Sequence, residues 1–300
     1  MLHSRIAVTR IEQFGWRGAV EPGIGRVVSA HGDYYHLVCN EQPTGEILAR
    51  KKKSAFMRMK TVAPVNMKGK KISEERAELP PQPITGDFVR FRYNAQGESM
   101  ITEVLQRFSH FERKDPTAKR TSQTLAVNFD TLFIMMSLNE NFSTARIRRY
   151  LDLARDMGSA GVVVVVTKVD LRQDGDEAFF DELREEVGGC ARILEISSLS
   201  GEGMASVNEY VKPGKTLAFI GSSGVGKSTL LNTLMGEEWQ ATQEIQEWSG
   251  KGRHTTTSRE LVMLPSGAMV IDTPGIREIG MIGEQDDLQV KGEATHRYRK

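Results

Sequence analysis

The stretch Gly221-Ser-Ser-Gly-Val-Gly-Lys-Ser228 decides the fold, because it matches the phosphate-loop pattern G-x-x-x-x-G-K-[ST] at every fixed position. Thr216–Ile220 predicts a buried strand before the loop, and leucines at helical spacing predict a helix after it. The glycines let backbone N–H groups converge on phosphate oxygens, and the helix adds its positive N-terminal end. Lys227 is predicted to contact the β- and γ-phosphates and to act in catalysis, and Ser228 to bind Mg²⁺. The predicted nucleotide-binding residues here are Gly221, Ser222, Ser223, Gly224, Val225, Gly226, Lys227, Ser228 and Thr229.

Two further strand ends carry residues that can recognise a guanine base. Thr167-Lys-Val-Asp170 follows the valine-rich strand Gly161–Val166. A carboxylate at Asp170 can accept hydrogen bonds from guanine N1–H and N2–H₂, a donor pair that adenine lacks, while the Lys168 stem lies over the base. Many proteins that read guanine with this motif carry Asn where Thr167 stands, so the match of this segment to the motif is weaker. An ordinary strand-end loop is the alternative. The predicted base-binding residues are Thr167, Lys168, Val169, Asp170, Ser197 and Ser198, the last two offering backbone N–H groups to the guanine carbonyl.

Asp272-Thr-Pro-Gly275 follows a predicted strand, Ala268–Ile271, about 45 residues after the phosphate loop. An aspartate at the end of a buried strand can reach the Mg²⁺ shell, and the Gly275 amide can meet the γ-phosphate. The motifs therefore occur in a rotated order, with base recognition before the phosphate loop and the D-x-x-G motif last. A compact α/β domain whose termini are adjacent tolerates such a circular permutation. The alternating strands and helices after Arg120 predict a doubly wound parallel sheet.

The N-terminal part of the chain differs from the rest in its strand pattern and its charge. Five short strands separated by turns, between residues 20 and 108, predict a small all-β barrel of the OB-fold type, with an SH3-like barrel as the alternative. Residues 1–120 hold 21 Lys and Arg against 13 Asp and Glu, whereas residues 121–300 hold 19 against 26, so a basic and an acidic half combine to a net charge of +1. The stretch Arg50–Lys71 carries nine basic residues and no acid. It is either a solvated loop or an RNA-backbone contact, for which the predicted residues are Arg50, Lys51, Lys52, Lys53, Arg58 and Lys60.

Composition excludes several classes of protein. With 39% hydrophobic and 26% charged residues, the chain is not predicted to be disordered, and its two cysteines exclude a disulfide scaffold. No apolar run approaches the roughly 20 residues that a membrane span needs, and the N-terminus lacks the apolar core of a secretory signal. We therefore expect a cytoplasmic protein with no membrane partner.

The permuted motif order, the barrel and the phosphate loop together resemble the RsgA (YjeQ/EngC) family of small-ribosomal-subunit biogenesis GTPases. Arg253-His-Thr-Thr-Thr257 and the segment Asn141–Leu151 also resemble that family. The resemblance implies an OB-fold that contacts ribosomal RNA, and GTP hydrolysis that the small subunit stimulates during late assembly. The expected domains are an RNA-binding barrel with a short N-terminal extension (1–110), a circularly permuted GTPase domain (111–283) and a polar tail (284–300). The family usually has a C-terminal zinc domain, but zinc is not expected within these residues.

Hydrolysis needs a group that orients the attacking water. Many GTPases use a glutamine just after D-x-x-G, but Ile276 stands there, and a hydrocarbon side chain cannot hold water, so intrinsic turnover should be slow. The resemblance supports His254 as the catalytic histidine, although it is otherwise readable as an exposed loop residue. One of Thr255–Thr257 is predicted to complete the Mg²⁺ shell with Asp272 and Ser228, with Thr256 the first choice and Thr257 the next. A monomeric GTPase is thus expected, with a nucleotide-gated RNA-binding scaffold or a P-loop ATPase as the alternatives.

Overall fold

A computed structural model of the chain describes residues 9–42, 44–56, 80–114, 122–138, 143–236 and 259–272, with the backbone alone at 113, 114, 122, 123 and 272. Thirteen strands and five helices are assigned within these ranges. Eleven of the strands form one continuous sheet, and the other two form a hairpin.

Five strands close into the barrel that the sequence predicts. They are β1 (Ile24–His31), β2 (Tyr34–Cys39), β3 (Ile47–Lys51), β4 (Phe88–Arg92) and β5 (Ser99–Val104). The order β1-β2-β3-β5-β4 is closed because β1 pairs with both β2 and β4, and β3 and β5 run parallel whereas the other pairs are antiparallel. Alternate residues, among them Leu37, Ala49, Phe91 and Ile101, fill its interior. The closed order is that of an OB-like barrel, which confirms this part of the predicted fold.

The second half is the predicted α/β domain. Its parallel strands lie in the order β10-β9-β8-β11-β13, and helices cover them. Strands β8, β9 and β11 are buried over nearly their whole length, as continuous apolar runs require in a parallel sheet. These elements are β8 (Thr131–Ser137), α2 (Thr144–Ala154), β9 (Gly161–Thr167), α3 (Glu177–Val187), β10 (Arg192–Glu195), α4 (Met204–Asn208), β11 (Thr216–Ile220), α5 (Lys227–Met235) and β13 (Met269–Asp272).

Several elements are not predicted from the sequence, helix α4 among them. A hairpin of β6 (His110–Lys114) and β7 (Ser122–Val127) lies between the barrel and the parallel sheet along the chain. A short helix, α1 (Arg10–Gln13), precedes the barrel. Strand β12 (Glu260–Met263) runs antiparallel to β13 and also meets the barrel, where Glu260 pairs with Ser29 of β1. The barrel sheet and the parallel sheet are therefore continuous through β12.

A buried arginine joins the two halves. Arg26 on β1 is 1% exposed, and its guanidinium donates to the carbonyl oxygens of Phe14 and Asn128, the latter at 2.9 Å. Its guanidinium also lies 4.8 Å from the centre of the Phe88 ring. Burial lowers the pKa of Arg26 to about 9, so the side chain still carries its charge at neutral pH. Nearby, the Thr85 hydroxyl of the barrel donates to the Arg259 carbonyl at 2.9 Å, directly before β12.

Candidate nucleotide site

The loop after β11 has the backbone geometry of a phosphate cradle. A side chain at Gly221 would place its Cβ 2.5 Å from the Met135 carbonyl oxygen of β8, so only glycine fits beside that strand. Gly226 caps helix α5 in the left-handed region, with φ of +96°. The first turn of α5 therefore points its N–H groups into the loop, where the helix dipole favours an anion.

The Lys227 side chain turns back over this loop. Its Nζ donates to the carbonyl oxygens of Gly221 at 2.6 Å and Ser222 at 2.7 Å. The ammonium group is thereby held above the glycine backbone, where a phosphate would enter. Ser228 and Thr229 follow on the first turn of α5 and are exposed, as are Ser223 and Gly224 in the loop, while Val225 is buried beneath it.

The predicted base-recognition loop lies against the phosphate loop. The buried Thr167 hydroxyl, at the end of β9, is 2.6 Å from the Val225 carbonyl oxygen and 3.1 Å from that of Met136. Its single proton therefore bridges the phosphate loop and β8, with Val225 the nearer acceptor. A Cβ at Gly226 would lie 3.6 Å from the same hydroxyl, so the two loops are in direct packing contact.

The residues after Thr167 turn sharply. Lys168 takes a left-handed conformation, with φ of +61°, which is uncommon for a residue with a side chain and characteristic of functional loops. A short 3₁₀ turn, Val169–Leu171, follows, in which Val169 is buried and Asp170 is exposed. Asp170 is therefore exposed on a short turn whose neighbouring residues, Thr167 and Val169, are both buried.

The loop after β10 is hydrogen-bonded to the loop after β9. The Val169 N–H donates to the Ile196 carbonyl at the end of β10, at 3.3 Å. Ser197 is buried, and its hydroxyl accepts from the N–H groups of Leu199 at 3.2 Å and Ser200 at 3.1 Å, which fixes a tight serine turn. Ser198 is half-buried in this turn.

The carboxyl ends of the parallel strands thus bring three sequence motifs together at one edge of the sheet. Strand β13 reaches the same edge, because Ile271 pairs with Ala218 and the Asp272 backbone lies level with the last residues of β11. Thr256, His254 and Gly275 lie outside the described residues, as do Arg58 and Lys60. The sequence predicts Thr167 only as a base-recognition residue with a weakened match. It does not predict the hydrogen bond to Val225, for which the polar residue at the strand end is the sequence signal.

Replacing Thr167 with valine tests the bridge. Valine keeps the shape of the side chain but removes the hydroxyl that links the Val225 and Met136 carbonyls. A lost buried hydrogen bond costs about 1 kcal/mol, so we expect the Kd for GDP, measured by calorimetry, to rise roughly 5- to 10-fold. Thr167→Ser keeps the hydroxyl and should restore most of the affinity. If valine and serine give the same Kd as the native protein, the bridge does not support nucleotide binding.

Two of the predicted Mg²⁺ ligands, Ser228 and Asp272, lie within the described residues. Within the described ranges, no three His, Cys, Asp or Glu side chains cluster as a ready-made metal site. The oxygen of Ser228 and the strand-end position of Asp272 fit a hard cation such as Mg²⁺, which takes one or two protein ligands and completes its shell with phosphate oxygens and water. Across the same ranges, no helix combines the length and apolar composition that a bilayer crossing requires.

The comparisons with known proteins agree with this geometry. The sequence signature described as RsgA GTPase matches residues 104–282. The "Small ribosomal subunit biogenesis GTPase RsgA" of Leptospira interrogans is 41% identical over 209 residues, which cover 69% of this chain and 57% of that protein. The chain thus matches a little under three fifths of that relative's length.

Solved structures share the fold. The crystal structure of YjeQ from Thermotoga maritima superposes with a TM-score of 0.58 at 25% identity, covering 85% of this chain and 76% of that one. YloQ, whose structure is described as a circularly permuted GTPase, gives a TM-score of 0.53 at 22% identity and covers 86% of this chain and 74% of its own. The order of the motifs along the chain is therefore that of a known permuted fold.

Proposed function

This chain belongs to the RsgA GTPase family, and we propose that it binds GTP and GDP and hydrolyses GTP during late assembly of the small ribosomal subunit, in the cytoplasm and as a monomer. The name of the Leptospira relative supports the process, and the site supports the chemistry. The observation that carries the proposal is the contact between Thr167 and Val225, because it joins a base-recognition loop to a phosphate loop. Nucleotide selection and phosphate binding then occur in one pocket.

The residues of the pocket have distinct roles in this proposal. The Asp170 carboxylate accepts from guanine N1–H and N2–H₂, and the aliphatic stem of Lys168 lies against the base. The backbone N–H groups of residues 222–228 surround the phosphates, and Lys227 exchanges its bonds to Gly221 and Ser222 for phosphate oxygens. Phosphoryl transfer requires mainly this positioning and neutralisation of charge.

The metal and the attacking water complete the proposed site. Ser228, Asp272 and Thr256 would hold Mg²⁺, which neutralises phosphate charge when it is bound. His254 would orient the water, since Ile276 follows the D-x-x-G motif where many GTPases carry glutamine. Slow intrinsic turnover of GTP is therefore expected. A partner that stimulates hydrolysis would raise this turnover when the protein is bound to it.

The RNA partner is proposed from the basic stretch. Arg50 and Lys51 lie at the end of β3, and Lys52 and Lys53 follow it as exposed side chains. Lys51 pairs with Asp33 at 3.3 Å, whereas Lys52 and Lys53 make no ion pair within the part of the chain that the structure describes. Unneutralised cations at the end of a strand suit a phosphate backbone, since binding releases its condensed counterions.

Turnover in the presence and absence of purified small subunits tests the proposal. We expect GTP hydrolysis by the full chain to rise at least 10-fold with subunits, and ATP hydrolysis to stay at background. GTP-dependent subunit binding without stimulated turnover would instead make the protein a nucleotide-gated scaffold. Equal use of ATP would make it a general P-loop nucleotidase and contradict the role of Asp170.

A further inference from the structure

A single arginine connects the turn after β9 to two other elements of the α/β domain. Arg172 directly follows the short turn Val169–Leu171, and its backbone N–H donates to the Val169 carbonyl at 3.0 Å. Its guanidinium carbon lies 4.1 Å from the centre of the Phe180 ring on α3. Its Nη2 donates to a carboxylate oxygen of Glu195, the last residue of β10, at 2.6 Å. We call the side chains of Arg172, Phe180 and Glu195 the brace.

Both partners of the Arg172 side chain belong to regular elements. Phe180 is 1% exposed and packs in the hydrophobic core. Glu195 pairs with Val166 in the parallel ladder between β10 and β9, so its backbone is fixed by the sheet. A planar guanidinium can stack on a ring and donate to a carboxylate at the same time, because its N–H groups lie in its own plane. The turn after β9 is therefore attached to α3 and to β10 through one side chain.

The position of the Asp170 carboxylate depends on the backbone of this turn. Among the residues that the structure describes, the carboxylate makes no hydrogen bond or ion pair, so the turn alone sets where its oxygens lie. On the N-terminal side, the Val169 N–H donates to the Ile196 carbonyl at 3.3 Å. Lys168 takes a left-handed conformation there, which costs energy and persists only where the surroundings hold it. On the C-terminal side, the brace attaches the turn to its neighbours.

Guanine recognition is sensitive to where this carboxylate lies. Two parallel hydrogen bonds, from guanine N1–H and N2–H₂, form only when both carboxylate oxygens are at hydrogen-bond distance from the base. When a binding group is correctly placed for only a fraction of the time, the measured affinity falls by that fraction. The phosphate loop does not share this dependence, because β11, α5 and the Thr167 hydroxyl hold it. Loss of the brace should therefore weaken binding of the base and leave binding of the phosphates unchanged.

We propose that Arg172 is a positioning residue for guanine recognition, which acts by holding the turn that presents Asp170. The proposal rests on the proposed function and deepens it, because it adds a determinant of base selectivity that does not itself contact the nucleotide. The Arg172 side chain contacts α3 and β10, so its effect on the base passes through the backbone of the turn. The segment Thr167–Asp170, from which guanine recognition is predicted, ends before this residue.

The dissociation constants of GDP and ADP, measured by calorimetry for the native chain and for Arg172→Met, test the brace. Methionine keeps much of the length of the side chain but removes the guanidinium, and with it both the stack and the ion pair. We expect the Kd for GDP to rise about 10-fold, and the Kd for ADP, bound through its phosphates, to stay within about 2-fold of the native value. A general loss of structure would instead raise both constants together. Arg172→Lys keeps a cation for Glu195 and should recover part of the preference, with a Kd for GDP about 3-fold above the native value.

A second arginine with the same two partners provides the matched control. The Arg184 guanidinium on α3 lies 5.9 Å from the centre of the Phe180 ring, and its Nη2 is 3.7 Å from the other carboxylate oxygen of Glu195. Because Arg184 is not attached to the turn, Arg184→Met should leave the preference for GDP over ADP within about 2-fold of the native value. Equal losses of preference from Arg172→Met and Arg184→Met would assign the effect to general packing around Phe180 and overturn the proposal.

Glu195→Gln tests whether Arg172 acts through its partner. Glutamine keeps the size of the side chain but removes its charge, and should raise the Kd for GDP about 3-fold. When Arg172→Met and Glu195→Gln are combined, the Kd for GDP should be no higher than in Arg172→Met alone, because both changes remove the same interaction. Additive losses would show that the two side chains act separately, which contradicts the brace.

The brace and the proposed function can fail separately. If the native chain prefers GDP and Arg172→Met keeps the same preference, or if the Kd for GDP and for ADP rise together in that variant, the brace is overturned and guanine recognition by Asp170 stands. A fall in preference, with no stimulation of GTP hydrolysis by small subunits, supports the brace and contradicts the role in subunit assembly. A native chain that binds ADP as well as GDP overturns both, because there is then no base selectivity for Arg172 to support.

Discussion

Replacing Lys227 with alanine is expected to raise the Kd for GTP about 100-fold and to slow single-turnover hydrolysis by a further 100-fold or so. The binding loss corresponds to about 3 kcal/mol, the value of a strong hydrogen bond between charged groups. The additional loss of rate follows because the ammonium group faces the charge that develops on the transferring phosphoryl group. Both quantities can be measured with fluorescent GTP in a stopped-flow instrument.

Lys215, at the end of β11 opposite the phosphate loop, provides the control. Lys215 lies directly before β11, half-exposed, with its Nζ 2.9 Å from Asp130. Asp130 is also held by Arg17 and by the Thr216 N–H, so Lys215→Ala should alter stability and GTP binding little. Lys227→Ala with native affinity and rate would exclude the loop after β11 from the nucleotide site.

The second large effect is expected from Asp170→Asn. Asparagine presents an N–H₂ group where the carboxylate accepted a hydrogen bond, so a guanine donor then faces a protein donor. Sites built around such a bond discriminate against ligands that cannot form it by a factor of about 10⁴. We therefore expect the Kd for GDP to rise about 1000-fold. Xanthine carries a carbonyl at C2, which an asparagine N–H₂ can meet, so the variant should bind XDP more tightly than GDP.

Asp174→Asn makes the same chemical change four residues later, at another exposed aspartate. It should leave both affinities within about 2-fold of the native values. Competition between labelled GDP and unlabelled GDP, XDP and ADP measures all the affinities in one assay. A native-like preference for GDP in Asp170→Asn would show that the loop after β9 does not read the base.

Regular elements were predictable because their patterns are local. Strand β11 has the bounds that the sequence predicts, Thr216–Ile220. The five barrel strands lie between residues 20 and 108, where the sequence predicts five short strands, since turns such as His31-Gly-Asp mark the ends. The permuted order of the motifs also follows from the sequence, because strand ends identify where each motif must lie.

Contacts across the chain were not predictable. Nothing local marks Arg26 as an arginine that becomes buried between two domains, because its burial depends on Asn128 and on the loop at Phe14. Strand β12 is only four residues long, and its place beside β1 depends on one pair, Ser29 with Glu260. The Thr167 hydroxyl is a similar case, because its acceptor lies 58 residues away in the phosphate loop.

These long-range contacts bear on how the barrel and the nucleotide site communicate. The hairpin of β12 and β13 touches the barrel through Glu260 and through the Arg259 carbonyl, and it ends at Asp272. A partner that shifts the barrel would therefore move a strand that leads directly into the predicted metal site. Under the proposed function, this strand would be the mechanical route by which a partner of the barrel stimulates hydrolysis.

The central claim is that three loops, whose motifs occur in permuted order along the sequence, form one guanine-nucleotide pocket. A crystal structure of the chain with GDP and Mg²⁺ tests this claim most directly. We predict the diphosphate inside the loop Gly221–Ser228 and both Asp170 oxygens about 3 Å from guanine N1 and N2. A base that lies away from Asp170, or a diphosphate outside that loop, would contradict the account.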